Sequence, residues 1–146
     1  MELLKNISAT LDIEIKSRRK NARRAISPNL LNEIVLPNSK IAKIKLEAEI
    51  YEEEKESFRE ITANELNEVV FKSSKITLKA QSGDKVEYLA PNGKHFTVKD
   101  ILSAVEDAER QTRANTSWFG GIDVHHVFFE GLHKQKDGSF EIYWGS

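Results

Sequence analysis

Cysteine is missing from all 146 residues, and that absence removes disulfide scaffolding, thiolate metal sites and cysteine nucleophiles together. Proline and glycine are sparse, at three and seven residues. They do not gather with serine into a linker, so residues 1–146 read as a single domain. No apolar run approaches the roughly 20 residues that a membrane-spanning helix needs. The start, Met1-Glu2-Leu3-Leu4-Lys5, has neither the apolar core nor the small-residue cleavage site of a secretory leader. Together these absences point to a cytoplasmic protein with no membrane partner. Net charge is nearly missing too: 22 Lys and Arg against 23 Asp and Glu leave -1, so a nucleic-acid reading must rest on a local patch. Phosphate-cradling loops, dinucleotide fingerprints and the Gly-X-Ser-X-Gly elbow are absent, and no cofactor or metal is implied.

What the chain does have is a globular composition, 39% hydrophobic and 31% charged, enough to fold with a heavily solvated surface. The expected class is α+β. Residues 1–72 form a charge-segregated, mainly helical part, because Leu4, Ile7, Leu11 and Ile15, and then Ile44, Ala48, Tyr51 and Phe58, recur near helical spacing. Residues 11–16 and 43–50 also alternate in strand fashion, so pattern leaves both segments open. Ser27-Pro28 reads as a helix start carrying Leu30, Leu31, Ile34 and Val35, stopped by Pro37. Thr62-Ala63-Asn64-Glu65 is a capping box, opening a short helix that carries Leu66, Val69 and Val70.

Beyond residue 72 the texture changes. Ile76, Leu78 and Ala80, then Val86 and Tyr88, alternate across a Ser82-Gly83-Asp84 turn, which predicts a hairpin. Thr97 and Asp100 cap a helix whose inner face is Val98, Ile101, Leu102, Val105 and Ala108. A strand over 122–129, apolar on both faces, then turns at Lys136-Asp137-Gly138 into a last strand bearing Phe140, Ile142 and Trp144. Residues 73–146 thus read as a β-β-α-β-β unit: one antiparallel sheet with a helix packed across one face.

The densest chemistry lies in residues 118–133, which hold three of the four histidines. On a strand, Asp123 and His125 share a face at about 7 Å, a spacing that suits an imidazole base oriented by a carboxylate. Glu130 or His133 could then serve as acid or as metal ligand. His125 and His126 would point to opposite faces and could not share one ion. Gly120-Gly121 precedes a strand rather than a helix, which makes it a turn and not a phosphate loop. Aromatics crowd the last thirty positions, and Trp118 and Phe119 suit a partner or ligand surface. Residues 16–24 place six positive charges in nine positions. There Arg18, Arg19, Arg23 and Arg24 form an electrostatic contact, for nucleic acid or for the acidic run Glu47, Glu49, Glu52, Glu53, Glu54, Glu56 and Glu60.

Three functions follow, in this order. The first is a non-enzymatic binding or regulatory protein, a homodimer or the partner of another protein, using Trp118, Phe119, Asp123, His125, Glu130 and the four arginines. The second is a small hydrolase or lyase built on Asp123 and His125 with Glu130 or His133. The third is nucleic-acid binding through residues 16–24. The last strand, near the terminus, is the expected edge for a second copy or a peptide.

Overall fold

The computed structural model describes residues 1–17, 33–36, 40–116 and 122–146. The first two long strands, β1 (Ile7–Ser17) and β3 (Lys40–Glu52), run antiparallel in unbroken register from Ile7 opposite Ile50 to Ser17 opposite Lys40. That pairing corrects the mainly helical N-terminal half. The helical stripe does not survive, because Leu11 is buried while Ile15 is exposed. Alternation carries the core instead: Ala9 and Leu11 on β1, and Ala42, Ile44 and Ile50 on β3. The opposite face sets Asp12 across from Lys45 and Glu14 across from Lys43, a match of charge that a sheet rewards by roughly 0.2–1 kcal/mol per pair.

Seven strands follow one another in the order β2 (Glu33–Val35), β3, β1, β9 (Phe128–Lys134), β10 (Phe140–Gly145), β6 (Lys75–Lys79) and β7 (Lys85–Leu89). An eighth, β4 (Ser57–Arg59), extends the outer edge of β3, where Tyr51 and Phe58 sit as cross-strand neighbours with ring centroids 5.2 Å apart. Among the described residues, those in strands far outnumber those in helices, so the sheet dominates the architecture. Ile34 and Val35, expected in a helix stopped by Pro37, belong to β2; Ser27, Pro28, Leu30, Leu31 and Pro37 lie outside the described residues. The Thr62 capping box opens α1 (Ala63–Leu66). Val69 and Val70, expected to continue that helix, instead lie in β5 (Val69–Phe71), paired with β8 (Phe96–Thr97).

The 76–88 hairpin and the Thr97 capping box occur where their sequence signals stand, the latter opening α2 (Val98–Thr112). A 3-10 turn, Arg113–Thr116, continues the helix. Along α2, Val98, Ile101, Ala104, Val105 and Ala108 are buried, within a core that also holds Ile44, Leu78, Phe140, Ile142 and Trp144. Two features differ from the expected C-terminal unit. β10 pairs with β6 in parallel, so the sheet is mixed. β10 also lies between β9 and β6, which takes the last strand away from the edge where a second copy was expected.

The covered face of the sheet is apolar, and the opposite face is largely polar. Along β3, Lys43, Lys45, Glu47 and Glu49 alternate outward between the buried residues. Between β2 and β4, the outer edge of β3 is closed by α2, where the Glu106 carboxylate accepts the Leu46 N–H at 2.9 Å. No helix among the described residues is long and apolar enough to cross a membrane.

Candidate functional site

The expected strand over 122–129 begins only at Phe128, and Asp123 explains why. Its Oδ1 accepts the backbone N–H groups of His125 at 2.8 Å and His126 at 3.1 Å. A side-chain acceptor that captures the next backbone donors offers a turn in place of a ladder. The turn brings His126, not His125, onto the carboxylate: Nδ1 lies 2.6 Å from Asp123 Oδ2. His125 contributes its backbone N–H there, while the residue itself stays exposed.

A buried ionic network sits beneath this turn. Glu109 and Arg113, four residues apart at the end of α2, are both wholly buried and joined from Nε to Oε1 at 2.7 Å. Arg113 Nη1 donates to the carbonyls of Asp123 at 3.2 Å and His126 at 2.8 Å. Its guanidinium carbon lies 5.2 Å from the centre of the Trp144 ring, within cation–π range. The Gln81 N–H reaches Glu109 Oε2 at 3.0 Å, and Thr116 Oγ1 accepts the Asp123 N–H at 2.8 Å. Burial raises the Asp123 pKa, but the His125 and His126 N–H groups and the His126 imidazole outweigh it, leaving the carboxyl below its ordinary value. At Glu109, burial wins over Arg113 and the Gln81 N–H, and the pKa is raised. The hydrogen bonds tie helix, turn and the β6–β7 hairpin together, which is a positioning role. An Asp–His couple with the imidazole 34% exposed is also the base-and-orienter half of acid–base chemistry. Among the described residues, no group of three His, Cys, Asp or Glu side chains could hold a metal ion.

Glu130 and His133 do not join Asp123. They project from β9 onto the uncovered face of the sheet, whereas Arg113 and Asp123 lie on the covered side with Trp144. A bulge in the β9–β10 pairing skips Glu130: Tyr143 faces Gly131 and Trp144 faces Phe129. Gly131 takes φ +117° there, a conformation that favours glycine. Glu130 folds over Gly145, its carboxylate occupying the space that a Cβ at residue 145 would need. On the same face stand Phe128, 51% exposed, opposite Gly145, and Tyr143, 42% exposed, with His133 stacked on it at 3.8 Å. The result is a carboxylate on a glycine-floored shelf, flanked in register by two exposed aromatic rings.

Phe128 and Tyr143 carry this shelf, and the sequence reading, which singled out Trp118 and Phe119 among the C-terminal aromatics, passed over them. The alternation of outward Tyr143 with inward Ile142 and Trp144 was the available signal. Trp118, Phe119, Arg18, Arg19, Arg23 and Arg24 lie outside the described residues, as do Gly120-Gly121 and most of the basic run. On the acidic run, Glu52 is engaged locally, with Lys55 at 3.5 Å and Arg59 at 2.8 Å.

Comparison with protein-family models, with curated proteins and with solved structures finds no match for this chain.

Proposed function

We propose that the chain is a non-enzymatic protein-binding module whose uncovered sheet face engages a lysine or arginine side chain of a partner. The observation that carries this reading is the Glu130 carboxylate set over Gly145 between the exposed rings of Phe128 and Tyr143. A cation gains there from the carboxylate and from the ring faces, a cation–π contribution of about 0.5–1 kcal/mol at an exposed site. On the same face Asp12 and Glu14 are answered by Lys45 and Lys43, whereas Glu47 and Glu49 stand opposite Thr10 and Ser8 and extend the preference for a basic partner. Gly145→Ala is the sharpest test, since its φ is ordinary and the new Cβ would meet only the end of the Glu130 side chain. An arginine-rich decapeptide is titrated into labelled protein, with amide shifts followed by NMR. The reading requires salt-sensitive shifts at Phe128, Glu130 and Tyr143 that weaken in Gly145→Ala and Glu130→Gln. Shifts elsewhere, or shifts indifferent to both variants, would sink it.

A second reading, a small hydrolase, is supported by the 2.6 Å Asp123–His126 couple, with His126 as base where the sequence pointed to His125. It requires ester hydrolysis by the wild type that His126→Gln abolishes without loss of thermal stability. Equal activity in both proteins would count against it.

A further inference from the structure

The two edges of the sheet are unlike. At one, β2, β4 and Glu106 together close the outer side of β3. At the other, β7 ends the sheet, and no described strand pairs its outer side. Hydrogen-bond alternation says which groups are left over. The Ala80 N–H bonds to the Asp84 carbonyl and the Ala90 N–H to the Ser74 carbonyl, so residues 84, 86, 88 and 90 face β6. In an antiparallel pair the bonded positions recur every second residue. Lys85, Glu87 and Leu89 therefore direct their N–H and C=O groups outward, and all three residues are exposed, Leu89 by 73%. Beside this edge, a groove of about 460 Å³ between β7 and α2, lined by Tyr88, Pro91, Phe96 and Arg110 among others, leaves the approach open.

We infer that β7 pairs antiparallel with β7 of a second copy, joining two sheets into one across a two-fold axis. Only registers that set outward-facing residues opposite each other can form the ladder. Glu87 opposite Glu87 opposes like charges, which destabilises a cross-strand pair. Shifting one way sets Lys85 opposite Pro91, which has no N–H to give. Shifting the other way sets Lys85 opposite Glu87 and Glu87 opposite Lys85, with Val86 against Val86 at the axis. That register satisfies the backbone and charge of Lys85 and Glu87 together, leaves Leu89 beyond the ladder against the Gly83 turn, and is self-complementary, as a two-fold interface must be. Lys85 also pairs with Asp137 of its own chain. Its ammonium has three donors and can serve both carboxylates. Opposed residues of an antiparallel pair share a face, so both α2 helices lie on one side of the joined sheet.

A seam of three β7 residues a side falls well under the roughly 1,200 Å² of a standard interface, so the dimer is expected to dissociate on dilution. Light scattering on the full chain, from low to several hundred micromolar, reads the stoichiometry, and amide hydrogen exchange reads the seam. The expected result is a concentration-dependent dimer in which the Lys85 and Glu87 amides gain protection. Glu87→Pro removes an outward N–H without costing β7 a bond to β6. It should give a monomer whose circular dichroism is unchanged. Glu87→Lys, which sets two lysines opposite each other, should weaken the dimer at least tenfold and stands in if the proline variant does not fold. A wild type that stays monomeric throughout, a dimer indifferent to both variants, or a dimer with the Lys85 and Glu87 amides unprotected would each overturn the inference.

Discussion

Asp123 and Glu109 are buried carboxylates whose pKa values move in opposite directions: burial raises both, and the hydrogen-bond donors together outweigh it at Asp123 but not at Glu109. Asp123 takes two backbone N–H groups and an imidazole; Glu109 takes one guanidinium and one backbone N–H inside a wholly buried pair. Because the Asp123 pKa is lowered from 3.8, its contribution to stability is complete above that value and is lost as pH falls through the lowered one. Thermal unfolding should therefore show Asp123→Asn less stable than wild type at pH 7, with the gap closing in acid. A gap that stays constant would mean that the charge does not matter. Glu109→Ala strands the Arg113 guanidinium, which is fully buried. Breaking a buried pair from one side costs about 3–5 kcal/mol, measurable by urea unfolding.

Elements were legible where local chemistry has one answer. The capping boxes at Thr62 and Thr97 and the turn at residues 82–84 each need particular residues at particular spacings, and each marks its element. β1 and β3 were not legible, since Leu11 and Ile15 satisfy both helical and strand templates. Only the partner strand, with lysines at 43 and 45 to answer Asp12 and Glu14, breaks the tie. At the candidate site, Glu130 was visible as a charged residue among aromatics, but its separation from Asp123 was not, because a side-chain turn replaced the expected strand. Gly131 is the element-scale test of the bulge. Its φ of +117° strains any other residue, while a Cβ there would meet His133 Nε2 at an ordinary 3.7 Å. Gly131→Ala should then cost about 1–3 kcal/mol from backbone strain alone. A loss well under this, by chemical denaturation, would show that the bulge relaxes.

Across the whole molecule, the two faces of the sheet serve different ends. Burial of Ile101 and Val105 of α2 against Leu78 and Ile142 of the sheet concentrates stability on one side, and the other side leaves Phe128 and Tyr143 about half exposed at a solubility cost. If that exposure is held for recognition, substitutions on the two faces should separate cleanly. Ile101→Ala removes a fully buried side chain and should cost about 2–5 kcal/mol. Glu130→Gln, on the open face, should stay within about 0.5 kcal/mol of wild type and still lose binding to a basic peptide. Urea unfolding and peptide titration on the same two variants measure both quantities. A large stability loss in Glu130→Gln would make its carboxylate part of the scaffold, and the open face would then need no partner to account for it.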